Sequence, residues 1–469
     1  MFIARDFELR QLEKLYGSGR FEMAVIYGRR RVGKTTLISQ FCSDKRCLFF
    51  TGLESNAEAN LVSFSDALNR FQKKGSQSVH RNFDAILTEV GELAQDQRMV
   101  LVIDEYPWLA GAESSFSSLL QAKIDHRYGS GKLFLILCGS SMSFMQEKVL
   151  GEKSPLFGRR TAQFCLQPLN YFETSLFNPS WTQEESALVY GVTGGIPLYA
   201  SRFQGAAGKE LDEALTENYF TPGGYLYDEP SSLIKQELRE PRLYNAIIAA
   251  IARGASRLVE IAGSAKIPQA QCARYLETLQ ELMIVTREVP VTEKETSRKT
   301  IYSVHDLMFR FWYRFVQENI SAIETRRGEL VYEKRVKPFL AEYMGKVFER
   351  MCRQYLLFRA SALPLDLLKL GRWWGSDPET KQQEEIDLLG LSLEGHITLF
   401  GECKYKNTPI GLEELDRLRR RSLLLHGVER RFYALFSKRG FTEKLLQRAC
   451  SEEILLISLQ DMYKTGEKG

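Results

Sequence analysis

Short apolar runs alternate with amphipathic stretches over the first 140 residues of the chain. Residues 23–27, 47–51, 99–103 and 133–138 are short, largely apolar runs flanked by polar punctuation, the pattern of buried strands. Between them, residues 2–15, 36–41 and 60–71 carry apolar positions at helical spacing. Strands alternating with helices predict an α/β fold: a parallel sheet wound with helices on both faces, with ligands at the carboxyl ends of the strands. After a further amphipathic helix over 183–192 the pattern changes. From residue 242 it predicts three short helices, the first with Leu243, Ile247, Ile248 and Ile251 on one face and the third over 268–282. Two strand-like segments follow, 283–288 and 300–304, separated by the polar stretch 292–299, so the whole reads as a winged helix-turn-helix. Residues 306–316 are dense in aromatics at helical spacing; this suits a core helix better than a base-stacking surface. An amphipathic helix at 343–352 then opens a last α/β segment. It has strands at 384–391 and 397–405 joined by a turn at Glu394 and Gly395, a helix over 412–425, and strands at 431–437 and 454–458 of a mixed sheet.

Length and charge change this picture little. A chain of 469 residues is too long for one core, so several domains are expected. The formal net charge of +4 neither demands nor excludes nucleic acid, which leaves the question to local patches. No apolar run reaches the length of a membrane span, and the first residues lack a signal-peptide pattern, so a cytoplasmic protein without membrane contact is expected. The eight cysteines are scattered singly, which indicates neither a zinc site nor a disulfide framework.

The chemistry begins at Gly28-Arg29-Arg30-Arg31-Val32-Gly33-Lys34-Thr35, a complete G-x-x-x-x-G-K-T phosphate loop between a strand and the helix opened by Thr36. Gly28 and Gly33 let successive N–H groups point inward, and the helix adds the positive end of its dipole. Lys34 would neutralise β- and γ-phosphate charge, and the Thr35 hydroxyl would take a magnesium position. The run 99–105 ends in two carboxylates, as a Walker B strand does. Asp104 would hold magnesium through its water shell, and Glu105 would orient the attacking water. Ser140 or Ser141, at the tip of the next strand, suits a γ-phosphate sensor. Arg159 or Arg160, in the turn 154–161, suits an arginine supplied to the nucleotide of a neighbouring copy, hence a possible homo-oligomer.

Gly194-Gly195-Ile196-Pro197 resembles the Gly-x-Pro element in the helical lid of nucleotide-binding switch ATPases, where the proline packs near the base. With Phe2, Arg5 and Glu8, the arginine-rich phosphate loop, Asp104-Glu105, Gly139-Ser140-Ser141 and the Pro-Leu-Phe-Gly-Arg turn, the first half resembles the prokaryotic ATPases called archaeal-type, which are AAA-related and close to the STAND switches. The resemblance implies ATP rather than GTP, and the absence of an [NT]-K-x-D motif agrees.

In the last segment, Asp387 followed fifteen residues later by Glu402-x-Lys404 resembles the D…(E/D)-x-K core of the restriction-endonuclease-like superfamily. Glu402 and Lys404 are two apart on a strand and face one side. Glu402 could then join Asp387 on magnesium, with Lys404 beside the attacking water, and Glu349 on the preceding helix fits an extra acidic position of that superfamily. The domains implied are a P-loop ATPase with helical lid (1–225), a winged helix-turn-helix (235–320) and a restriction-endonuclease-like domain (330–469). The expected function is an ATP-hydrolysing switch coupled to DNA binding and magnesium-dependent DNA cleavage. The alternative is a regulatory or scaffolding ATPase whose C-terminal domain binds nucleic acid or protein without cutting. On the DNA-reading side, Gln269, Gln271 and Arg274 lie on the third helix and Lys294, Arg298 and Lys299 on the wing.

Overall fold

The structure, a computed structural model of the chain, describes residues 2–74, 78–360, 366–393 and 397–464. The turn read at Glu394 and Gly395 lies outside the described residues. Two compact units are present: residues 1–169 with 196–198, and residues 170–195 with 199–469.

The first unit is built on five parallel strands, β1 (Glu22–Tyr27), β2 (Cys47–Thr51), β3 (Met99–Asp104), β4 (Leu133–Gly139) and β5 (Ala162–Cys165), in the order β2-β3-β4-β1-β5. Every residue of β1, β3 and β4 is buried, which is why these strands read as continuous apolar runs rather than alternating ones. Ala24, Ile26, Val100, Val102 and Ile136 pack with Leu37, Ile38 and Phe41 of the Lys34–Cys42 helix. At about 1.5–3 kcal/mol for each large apolar side chain buried, this packing fixes the helix, and with it the loop before it, on the sheet. Because β4 lies between β1 and β3, three chain tips fall side by side: the loop after β1, Ser140 after β4, and Asp104-Glu105 at the end of β3. The edge strand β5 has too mixed a pattern to be read from sequence.

In the second unit the helices Pro241–Ala252, Leu258–Ala265 and Gln269–Glu281 precede an antiparallel pair, β6 (Val285–Glu288) and β7 (Ile301–Val304). Met283 sits at φ 58°, so the chain turns there and β6 begins two residues later than its apolar pattern suggests. The aromatic run is interior: Phe309, Phe311, Trp312, Tyr313 and Phe315 are all buried. A second sheet contains β8 (Leu367–Ser376), β9 (Gln383–Ser392), β10 (Ile397–Lys404), β11 (Arg430–Ser437) and β12 (Ile454–Ser458), in the order β12-β11-β10-β9-β8. Its β9 runs antiparallel to both β8 and β10, while β10, β11 and β12 run parallel, so the sheet is mixed.

Leu415 and Leu418 of the Leu412–Ser422 helix pack on Ile386, Leu389, Phe400 and Leu435. The Leu340–Phe358 helix also lies against β10, with Phe348 and Tyr405 rings 5.4 Å apart. Residues 170–195 and 199–225, read with the ATPase in the sequence, cluster in this second unit. The Gln183–Thr193 helix is tied in by Tyr343, whose hydroxyl donates to Gly191 O at 2.7 Å.

Candidate functional site

The phosphate loop is shaped by two glycines and one arginine in left-handed or related backbone, Gly28 (φ 151°), Arg31 (φ 69°) and Gly33 (φ 93°). A Cβ on Gly28 would lie 2.6 Å from Leu166 O, so only glycine lets β5 and the loop approach this closely. Lys34 is buried and its Nζ donates to Gly28 O (2.9 Å) and Arg29 O (3.0 Å), arching over the loop it belongs to. Burial holds its pKa below the usual lysine value, with Asp104 and Glu105 working against that shift. Val32 is buried and its carbonyl accepts from Arg5 Nη2 at 3.2 Å, while Arg29 and Arg30 are half-buried and Thr36 is exposed. Pro197 belongs to the same compact unit, and its Cγ stands 3.8 Å from where a Gly33 Cβ would be.

Across the tip of β3, Thr35 Oγ1 donates to Asp104 Oδ2 at 2.9 Å, so hydroxyl and carboxylate already face one another. Magnesium fits here: a helix-start hydroxyl and a buried carboxylate are the oxygen donors it takes beside a nucleotide. Thr35 and Asp104 would hold it, and when bound it would supply positive charge against the charge developing on the phosphates. Glu105 leaves the strand in a left-handed conformation (φ 47°) and starts the Tyr106–Ala112 helix. Its Oε2 accepts from Ser140 Oγ (2.9 Å) and from Ser140 N–H (3.3 Å), so Ser140 rather than Ser141 meets the Walker B pair. Sequence reasoning missed two supports. Gly52 lets Glu105 O approach, since its Cβ would lie 2.6 Å away, and the buried Cys138 thiol neighbours Asp104. The parallel register of β3 and β4 would have revealed the cysteine.

Arg159 is engaged within its own unit. Its guanidinium makes a two-pronged pair with Asp125 (2.8 and 2.7 Å) and donates to Pro155 O and Phe157 O.

These features define a P-loop ATPase. Residues 2–203 match an ATPase domain described as predominantly from Archaea, and residues 312–418 match a group described as archaea bacterial proteins of unknown function. An uncharacterized protein of Methanocaldococcus jannaschii is 32% identical over 412 residues, 87% of this chain and 88% of that one. The chain belongs to this family of proteins with an archaeal-type ATPase domain. An uncharacterized ATP-binding protein of the same organism is 44% identical over 46 residues, 10% of this chain and 78% of that one. Among solved structures, the Walker-type ATPase of Pyrococcus abyssi shares the fold, with a TM-score of 0.51 and 19% identity over 67% of this chain and 96% of that chain.

At the second sheet, β9 and β10 pair as far as Leu388 and Gly401, and a register shift opposite Gly371 and Trp373 lies at the same place on the β8 side. Beyond it the Cys403 N–H donates to Asp387 Oδ2 (2.9 Å) instead of to backbone, so the strands part where the acidic residues sit. Asp387 and Glu402 are both buried, and Lys404 Nζ bonds Glu402. Burial, with Asp387 nearby, raises the Glu402 pKa; burial lowers and Glu402 raises that of Lys404, with a net rise. Glu349 is paired with Lys346 (3.0 Å), while Arg372 makes its closer contact with Glu385 (2.9 Å).

The D…E-x-K pattern leaves out one neighbour of Glu402, Arg421. The structure places it three residues beyond Leu418 on the sheet-facing side, with Nη1 3.3 Å from both oxygens of Glu402. The spacing 415, 418, 421 was the signal for this. Magnesium does not fit this arrangement, because Glu402 is already engaged by two cations. Among the described residues no three His, Cys, Asp or Glu side chains are grouped to hold a metal.

Proposed function

We propose that this ATPase is a switch that acts on DNA, binding it through the Gln269–Glu281 helix and the loop between β6 and β7. The observation that carries the reading is one of exposure. Gln269 and Arg274 on the helix, and Lys294, Arg298 and Lys299 on the loop, are all solvent-facing, whereas the remainder of that helix is pinned by buried Cys272, Tyr275, Leu276 and Leu279. Three helices followed by a two-stranded hairpin present these side chains as a winged helix would, with the third helix toward bases and the hairpin loop toward phosphates. ATP occupying the loop from Gly28 to Thr35 sets the state, Glu105 and Ser140 act on hydrolysis, and Arg160, or Arg159 once released from Asp125, serves a neighbouring copy. The C-terminal sheet is read as a nuclease-fold module, with Asp387, Glu402 and Lys404 as its DNA-cleaving residues.

A second reading, in which that module binds without cutting, is favoured by the engagement of Glu402 with Lys404 and Arg421. Fluorescence anisotropy on labelled duplex, with and without ATP, tests the first statement. Arg274→Ala with Arg298→Ala should weaken binding on the order of tenfold at moderate salt, and unchanged affinity would reject this surface. Incubation of the same duplex with magnesium separates the two readings. Nicking lost in Asp387→Ala and Lys404→Ala supports cleavage, and binding without nicking supports the scaffold.

A further inference from the structure

Glu402 lies in the sheet interior at 3% exposure, where an ionised carboxylate requires cations in direct contact. Lys404 supplies one from the same strand, and Arg421 supplies the other from the Leu412–Ser422 helix. Arg421 is itself anchored: Nε donates to Glu384 Oε2 at 2.7 Å, and the second oxygen of Glu384 takes Arg420 Nη2 at 2.7 Å. One guanidinium therefore joins two buried carboxylates on neighbouring strands, Glu384 of β9 and Glu402 of β10. A guanidinium keeps its charge at any pH the fold survives, so this cation leaves only by moving.

The local charge is balanced, with Glu349, Glu384, Glu385, Asp387 and Glu402 set against Lys346, Arg372, Lys404, Arg420 and Arg421. A divalent ion entering a balanced set must displace a cation, because it gains no excess negative charge on arrival. The parted ends of β9 and β10 bring Asp387 next to Cys403 in this same notch, with Glu402 preceding Cys403 on the strand.

We propose that Arg421 is a built-in counter-ion that occupies the divalent-cation position beside Glu402, and that its anchor on Glu384 must open before a metal can enter. This rests on the reading of Asp387 and Glu402 as metal ligands. It makes the module closed by default, with the Leu412–Ser422 helix as the moving part, since Arg420 and Arg421 both ride on it. Glu384 then has a role that the D…E-x-K pattern does not contain: it holds the counter-ion in place.

The test uses Mn2+ alone as probe, with nucleotide-free full-length protein, and reads free Mn2+ by electron paramagnetic resonance. Arg421→Met removes the charge and keeps the stem. It should bind one additional Mn2+ on the order of tenfold more tightly than the parent, and adding Asp387→Ala should abolish the gain. Arg421→Lys, which keeps the charge, should show none. Should Arg421→Met leave orphaned carboxylates and unfold, the double variant Glu384→Gln with Arg421→Met removes one of them and is expected to show the same gain. If Asp387-dependent Mn2+ binding is present in the parent and unchanged by Arg421→Met, the counter-ion proposal is overturned while the metal-site reading stands. If no variant shows Asp387-dependent binding, the metal-site reading itself falls, and with it the proposal.

Discussion

Ser140 holds Glu105: one carboxylate oxygen accepts both the hydroxyl at 2.9 Å and the backbone N–H at 3.3 Å from the tip of the neighbouring strand. A side chain at the end of a strand, on left-handed backbone, would otherwise be free to rotate away from the phosphates. Ser140 thus fixes the orientation of the carboxylate that we propose to position the attacking water.

Glu105→Gln should still bind ATP but lose hydrolysis by at least about a hundredfold. Ser140→Ala, which loses one hydrogen bond to a charged group, should lower kcat on the order of tenfold with KM little changed, and Ser140→Thr should recover most of it. Because the serine is expected to work through the glutamate, the double variant should be no slower than Glu105→Gln alone. Steady-state phosphate release on the four proteins decides this, and a further loss in the double variant would assign Ser140 to the phosphate directly.

Gly28→Ala places a methyl 2.6 Å from Leu166 O on backbone at φ 151°. The carbonyl cannot yield without moving β5, since Leu166 N–H is bonded to Tyr27 O at 2.7 Å. A cost of about 1–3 kcal/mol is expected. Differential scanning calorimetry should show the first unit melting several degrees lower, by about 2–4 °C for each kcal/mol.

Much of the first unit was legible because its strands are buried on both faces and end in chemistry-bearing residues. Residues 99–105 announced both the strand and the Walker B pair. Only the last residue differed, as Glu105 turns into the left-handed region instead of extending the strand. The edges were not legible. β5 has only four positions, and β8, with two register shifts and no steady alternation of burial, offers no regular pattern to read. In the second sheet the positions of Asp387, Glu402 and Lys404 on adjacent strands followed from spacing. What surrounds them did not, because Arg421 and Glu384 are far apart in sequence and meet only when the helix docks. Charge balance is a tertiary property, and a linear pattern of acidic residues cannot show which cation will come to rest on them.

Burial, reinforced by the charge of Asp387, pushes the Glu349 carboxyl up to about 7 from its ordinary 4.5. The folded chain therefore takes up this proton before the unfolded chain does. Glu349 adds no penalty below about pH 4.5, and its contribution turns progressively unfavourable as pH rises toward 7 and levels off above that. Glu349→Gln removes the titration. Between pH 5 and pH 8, in EDTA, the melting temperature of the parent should fall by more than that of the variant. Parallel curves for the two would show that Glu349 titrates in the ordinary range.

Pro197 shares a compact unit with Gly33, its ring Cγ standing 3.8 Å from where a Gly33 Cβ would lie, and left-handed Gly194 and Gly195 lead into it. A proline ring has a fixed φ and no backbone N–H, so it presents a stiff apolar wall to the phosphate loop. Any side chain at position 33 would meet that wall as well as strain the loop at φ 93°, so a single glycine answers to two constraints at once.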